Sequence, residues 1–307
     1  MPTGPLLDRL KFASRLIAKS AFRPALGAQH KPVAAEPSEL GVTFIGHASF
    51  LLQLGGLNLL VDPVFAHWLV LIHRLRRPGA RIKDLPPIDA ILLTHAHMDH
   101  LNLPSLRKVI RRTVAQVGKP PLVIVPKNVE DLVSEIGFSE VRSLDWWHST
   151  DFGGIDITMT PAQHWGTRML RDHYRGYGGY VLRYGSHSIF HCGDTGYFPG
   201  FHEIRKRLSP HIALLPIGAY SPAGFTSVHM TPEDAVQAFL DLDARNLIPM
   251  HYGSFSLSKE PMDEPLRRLF AAAKQAGISA AVDALGEGET KVYSGDRCGS
   301  GFGSGYR

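Results

Sequence analysis

Hydrophobic and polar positions along this chain follow two different periods, and the period predicts the element. Strand signals begin at Val42 to Ile45 and continue through a hairpin whose turn is Gly55-Gly56, with Leu57 to Val61 as the return strand. Ala90 to Leu93 is a short apolar run of strand length that ends in a cluster of histidines. Helical spacing over Leu106 to Val117 gives way to a buried strand at Leu122 to Val125, then to a second helix at Val129 to Ile136 closed by Gly137. Ile155 to Thr160, Gly179 to Tyr184 and Ser188 to His191 read as β-structure with short turns, followed by a helix at Phe201 to Leu208.

Two further apolar runs, Ile212 to Pro216 and Leu247 to Met250, bracket a strong helix start at Thr231-Pro232-Glu233-Asp234. A hydroxyl N-cap, proline at the first helical position and acids in the first turn all favour it. The last helix spans about Pro265 to Ala276. Strands and helices alternate without a repeat of solenoid length. The expected class is α/β (α+β), an αββα sandwich of two mixed sheets flanked by helices, in one domain over residues 41–295.

Outside that domain, Leu6 to Arg23 places Leu6, Leu10, Ala13 and Ile17 on one helical face and Lys11, Arg15 and Lys19 on the other. Such a basic amphipathic helix packs on its own domain or a partner in a homodimer, or lies on a membrane surface. Its charges interrupt the apolar core a signal peptide needs, and no apolar stretch reaches the ~20 residues that cross a bilayer. A linker completes residues 1–40, and residues 296–307 form a Gly/Ser-rich tail expected to be disordered.

Composition narrows the class without naming it. Hydrophobic residues at 44% and charged residues at 20% are those of a globular protein, which sets aside disorder and fibrous repeats. Two cysteines, Cys192 and Cys298, are too few for a disulfide framework, so a reducing, cytoplasmic setting is expected. The net charge of +5 suits anionic partners. No nucleic-acid motif accompanies it, which points to phospholipid headgroups instead of nucleic acid. Sixteen histidines exceed ordinary structural need and direct attention to metal chemistry.

That chemistry concentrates in Thr94-His95-Ala96-His97-Met98-Asp99-His100. Imidazoles and a carboxylate crowded on one loop repel when charged and lack partners when buried, unless a cation takes up their lone pairs. Mixed His and carboxylate ligands suit zinc, and iron or manganese is compatible.

The pattern H-x-H-x-D-H resembles the motif of the metallo-β-lactamase superfamily. The resemblance implies that His95 and His97 bind one metal, and Asp99 and His100 a second. His164 would complete the first site, Asp194 in Cys192-Gly193-Asp194-Thr195-Gly196 would bridge both, and His251 would complete the second. The implied chemistry is hydrolysis by a hydroxide held between two metal ions about 3.5–4 Å apart.

Seven further segments resemble a narrower group, the N-acyl-phosphatidylethanolamine-hydrolysing phospholipase D enzymes and their bacterial relatives. They are Gly46-His47-Ala48, Leu60 to Phe65, Gln163-His164-Trp165, Gly193 to Tyr197, Pro216 to Tyr220, Thr231 to Val236 and His251 to Phe255. The likeness covers roughly residues 41–275; a more distant one is to the ascorbate-phosphate lactonases. It implies a phosphodiesterase releasing phosphatidic acid and an N-acylethanolamine, with lactone or ester hydrolysis, or a non-catalytic membrane scaffold, as alternatives. Asp99 would also orient or deprotonate the water, and His229 would bind phosphate or protonate the leaving group. His47 and Asp62 would fix ligand imidazoles, or simply cap strand ends. Met98 stands where mammalian members carry a tyrosine, and with Phe65, Trp68 and Tyr220 it is assigned to the substrate. Val64 to Ile72 is expected to be a buried helix or a lipid-facing wall, and Arg74, Arg76, Arg77 and Arg81 beyond it suit anionic lipid or a solvated helix.

Overall fold

A computed structural model describes residues 6–21, 23–169 and 172–295. Cys298 and the tail at 296–307 lie outside them. Helix α1 (Leu6–Ala21) leads by an extended segment into β1 (Glu39–Gly46), β2 (Ser49–Leu54) and β3 (Leu57–Val61), an antiparallel meander. Gly55 and Gly56 both have positive φ (60° and 77°), which a two-residue hairpin turn demands and glycine alone adopts freely. After β3 the chain makes a small hairpin, β4 (Trp68–Leu69) with β5 (Ile72–His73), then returns as β6 (Ala90–Leu92). Helix α2 (Leu103–Val117) follows, capped by the Asn102 side chain and ended by Gly118 at φ 76°. Strands β7 (Leu122–Pro126) and β8 (Val141–Leu144) complete this half.

The second half opens with β9 (Ser149–Phe152), β10 (Ile155–Thr160), β11 (Gly179–Tyr184) and β12 (His187–His191), all antiparallel neighbours. Helix α3 (Gly200–Leu208), β13 (Ile212–Pro216), α4 (Pro232–Leu242), β14 (Asn246–Met250), α5 (Glu264–Gln275) and β15 (Thr290–Ser294) finish the chain. Two large sheets result, ordered β15-β1-β2-β3-β6-β7-β8 and β14-β13-β12-β11-β10-β9.

Side-chain alternation makes the layers. In β2, β3, β6 and β7, Leu51, Leu60, Ile91 and Val123 pack with Leu106 and Val109 of α2, while Leu52, Leu59, Leu92 and Ile124 join the core between the sheets. That core reaches Phe201, Ala235, Phe239 and Leu269 of α3, α4 and α5 behind the second sheet. The molecule is therefore the expected αββα sandwich.

Some expectations fail for physical reasons. Val129 to Ile136 is not a helix but a 3-10 turn at Glu130–Leu132, because Val129 and Val133 bury into the α2-side core and β-branched residues stabilise helix weakly. Val64 to Ile72 is not a buried helix either, since Val70 adopts φ 55° at the turn of the β4–β5 hairpin. Arg74 is fully buried rather than solvated or lipid-facing, donating to the Val64 carbonyl at 3.2 Å over the Phe255 ring. Arg76 and Arg81 pair with Glu287 and Asp84. Strands β8, β9 and β15 lie at sheet edges and carry too few buried residues to announce themselves in sequence.

Candidate metal centre

Parallel pairing of β3 with β6, and of β12 with β13 and β14, brings the ends of several strands to one edge of the sandwich. Asp62 follows β3, His95 to His100 follow β6, Asp194 follows β12 and His251 follows β14. Three of these neighbours hold left-handed backbone without being glycine: His47 at φ 61°, Asp62 at φ 45° and His251 at φ 59°. Conformations of that kind cost of order 1–3 kcal/mol each and persist where the surroundings enforce them. Gly193 is required beside Asp194, because at φ 65° a Cβ would come 2.7 Å from the Gly178 carbonyl.

The seven expected ligands converge. His95 Nε2 and His164 Nε2 lie 2.8 and 3.3 Å from His97 Nδ1, and each is 3.9 Å from Asp194 Oδ2. The same Asp194 oxygen stands 3.3 Å from His100 Nε2 and 3.2 Å from His251 Nε2. Asp99 Oδ2 is 3.7 and 3.5 Å from those two nitrogens and 3.0 Å from His47 Nε2. Two sets of four follow, His95-His97-His164-Asp194 and His47-Asp99-His100-His251, with a third of three, Asp194-His229-His251, the ligand atoms of each lying within 4.8 Å of one another. Asp194 thus sits between them, as the resemblance implied for a bridging residue.

Hydrogen bonds select the tautomers such a cage needs. His100 Nδ1 donates to Asp62 Oδ2 at 2.6 Å, His164 Nδ1 to the Val228 carbonyl at 3.0 Å, and His95 Nδ1 to Thr94 Oγ1 at 3.0 Å. Each bond holds a proton on the ring nitrogen turned away from the cage, so that Nε2 is the atom presented to a metal. His100 Nε2, His251 Nε2 and Asp194 Oδ1 are buried without a hydrogen-bond partner. Buried polar atoms of this kind cost about 1–3 kcal/mol each when unpaired. For metal–nitrogen bonds of about 2.1 Å in a tetrahedral shell, ligand atoms stand about 3.4 Å apart, within the observed spread. The residues fit a metal.

Charge in the metal-free cage is correspondingly frustrated. Burial opposes protonation of His251, yet Asp194 and Asp99 push its imidazole up to about 9. Burial likewise opposes charge on His100, and Asp194, Asp62 and Asp99 hold it well above the usual value. Asp194, despite its burial, stays well below the carboxylate range beside His251 and His100. Burial dominates at His47 and His229, lowering them to about 3 and about 4.

Other assigned residues divide. Asp62 holds His100, and His47 bonds Asp99 with its ring centroid 4.1 Å from that of His251. His229 Nδ1 lies 3.8 Å from Asp194 Oδ2 with its ring against His251, inside the site. Met98 is half-buried on the ligand loop. Tyr220, assigned to substrate, is instead buried with its hydroxyl donated to Glu264 at 2.8 Å. Phe65 is half-buried against the α2-side core, and Trp68 projects from the β4–β5 hairpin over His73, so neither joins the cage.

Two functional residues escaped the sequence reading. Thr94 donates its backbone N–H and hydroxyl to Asp62 at 2.8 and 2.6 Å while receiving His95, and its place beside the motif was the available signal. Arg168 Nη1 donates to the carbonyls of Ala96 and Leu101 at 2.7 and 2.9 Å, clamping both ends of the ligand loop. Hydrogen bonds to carbonyls leave no pattern in sequence.

A cage of histidines and aspartates at the strand ends of an αββα sandwich defines the metal-dependent hydrolases of metallo-β-lactamase type. Residues 57–252, more than half of the chain, match the beta-lactamase superfamily domain, and the chain belongs to that family. It is 33% identical over 289 residues to an uncharacterised protein of Mycobacterium tuberculosis, covering 89% of this chain and 75% of that one. To the mitochondrial N-acyl-phosphatidylethanolamine-hydrolyzing phospholipase D of Saccharomyces cerevisiae it is 33% identical over 271 residues, 81% of this chain and 56% of the yeast protein. A metal-dependent hydrolase of Rubrobacter xylanophilus is 30% identical over 254 residues, with 81% and 94% covered. Among solved structures, an isothiocyanate hydrolase from Delia radicum gut bacteria shares the fold, with a TM-score of 0.67, 22% identity, and 83% of this chain and 99% of that one covered. The protein is a metal-dependent hydrolase.

Proposed function

We propose that the protein is a two-metal phosphodiesterase of phospholipase D type, cleaving N-acyl-phosphatidylethanolamine or a similar phospholipid to phosphatidic acid and an N-acylethanolamine. The observation that carries this reading is Asp194 Oδ2, within 3.9 Å of imidazoles from both ligand sets, with His229 on its flank. Metal ions bound there, in our reading zinc, supply Lewis-acid neutralisation of phosphoryl oxygens and lower the pKa of water toward about 7. Asp99, ionised and held by His47, accepts a proton from the attacking water and keeps it oriented. His229 is neutral at ordinary pH because burial lowers it to about 4, so it offers an N–H hydrogen bond to a phosphoryl oxygen instead of a stored proton. Likeness to the yeast phospholipase D supports the substrate class.

The partner in this reading is an anionic lipid surface. Trp68, Val70 and Leu71 are 48%, 72% and 59% exposed on the β4–β5 hairpin, which α1 braces through Ser20 Oγ, the acceptor for the His73 N–H at 3.1 Å. Lys11 and Arg15 are exposed on α1. Each basic side chain near such a surface contributes about 1 kcal/mol. Among the described residues no helix is long and apolar enough to cross a membrane.

Product analysis with N-acyl-phosphatidylethanolamine in mixed micelles tests the reaction. Phosphatidic acid should appear with the native protein and not with Asp194→Asn. Hydrolysis of lactones alone, with the phosphodiester untouched, would sink the proposal.

A further inference from the structure

Away from the metal cage, a cavity of 660 Å³ opens between the segment after α1, the start of α5 and the turn before β15. Small-molecule sites run to about 300–1,000 Å³ and are mostly apolar with a few placed polar groups. This cavity has that composition. Leu75 and Leu285 are buried in its wall, Leu266 is half-buried, and Leu26 and Phe270 are 63% and 48% exposed to it and to solvent. Large apolar side chains left half open beside a formed cavity are an incomplete core, which a ligand tail can complete.

The polar groups are selective. Arg76 is paired with Glu287 and Arg267 with Asp263, so both lining acids are neutralised. Arg23 has no acidic partner among the described residues, leaving the lining one positive charge in excess. Tyr252 lines the same space, and its hydroxyl makes no hydrogen bond to any described residue. A lone guanidinium and an unspent hydroxyl above an apolar wall fit a single negative head on a hydrocarbon chain.

From these features we infer that the cavity is a binding site for a long-chain monoanionic amphiphile, a fatty carboxylate, separate from the metal cage. Main-chain pairing of residue 26 with residues 75 and 77 makes it a built feature: Leu26 N–H donates to the Leu75 carbonyl at 2.9 Å and Arg77 N–H to the Leu26 carbonyl at 2.7 Å, tying the outer wall to the domain. Tyr252 follows the ligand His251 directly, so an occupant touches the residue next to the cage.

The test is calorimetric titration of the metal-loaded full chain with palmitate below its micellar concentration, with hexadecan-1-ol as the neutral comparison. One saturable site is expected, preferring palmitate at least tenfold, and weakened at least tenfold by Arg23→Glu and by Leu266→Glu. Phe270→Ser, at an exposed position that folding tolerates, should weaken it several-fold. Asp194→Asn should bind palmitate as the native protein does, which separates this site from the cage and from the fate of the phospholipase reading. Absence of saturable binding, equal binding by the cavity variants, or loss of binding in Asp194→Asn overturns the proposal. So does a change from dimer to monomer in the cavity variants without palmitate binding, which would place a second copy of the chain in the groove.

Discussion

Asp62→Asn is the most incisive perturbation of the cage, because it changes one charge without changing shape. Asp62 is fully buried and accepts three hydrogen bonds: Thr94 N–H at 2.8 Å, Thr94 Oγ1–H at 2.6 Å and His100 Nδ1–H at 2.6 Å. An asparagine offers only one acceptor atom. With its oxygen toward the Thr94 amide, its NH2 confronts the His100 donor; turned over, it confronts the Thr94 amide. Either way one buried donor is unpaired, which costs about 1–3 kcal/mol. His100 can escape by moving its proton to Nε2, but that nitrogen is the one facing Asp194 and Asp99. A protonated Nε2 cannot bind metal, and loss of such an orienting carboxylate typically weakens metal affinity by about 10–100-fold.

Titration of metal-free protein with zinc against a chromogenic chelator should show that weakening in the site containing His100 and His251. Melting of the metal-free form should fall by roughly 2–4 °C for each kcal/mol lost. Unchanged affinity, within threefold, together with an unchanged melt, would refute the assignment of Asp62 as the residue that sets the His100 tautomer.

Three further outcomes can be checked independently. Metal loading at pH 7.5 should release protons, since His251 is pushed up to about 9 in the metal-free cage and His100 is raised as well; calorimetry in buffers of different ionisation enthalpy reads the number. By the same linkage, the His251 contribution to metal-free stability is fully present below about pH 6.5 and is lost as pH rises through about 9, so denaturant midpoints of that form should fall over this window. Arg168→Ala should destabilise the metal-free protein by about 2 kcal/mol and weaken metal binding, with Arg168→Lys recovering part of both; melts that move while metal affinity stays put would reduce Arg168 to a structural strut. Arg74→Met should fold within about 1 kcal/mol of the native protein whereas Arg74→Ala should lose about 3, because an apolar chain of similar length fills the space and removes a charge whose Nε is buried and unpaired.

The sequence was most legible where local chemistry is dense. His95 to His100 could not be reconciled with packing, and α4 was marked by the Thr231 hydroxyl, Pro232 and first-turn acids, which the structure closes into a capping box of Thr231 with Asp234. His164, Asp194 and His251 are scattered in sequence, and only order within a family pattern made them candidates. Legibility fails where a side chain's role depends on what folds over it. Arg74 reads as one of four solvent-seeking arginines, yet the β4–β5 hairpin carries it beneath Phe255. Tyr220 sits in a family-like segment, but α5 supplies Glu264 and draws the hydroxyl away from the cage. Arg168 works through carbonyl groups, which every residue possesses and no sequence displays.

The parallel pairing of β12, β13 and β14, and of β3 with β6, has a consequence for how this protein could change its diet. Every group with chemistry hangs from the same rim, while the residues that hold the sheets together lie one or more strand positions below it. Exposed side chains on that rim can be exchanged without disturbing the interior. New substrates are therefore within reach of variation that never touches the scaffold, and a library confined to the exposed positions 67, 68, 70, 71, 223, 224, 226 and 227 is the place to look for them.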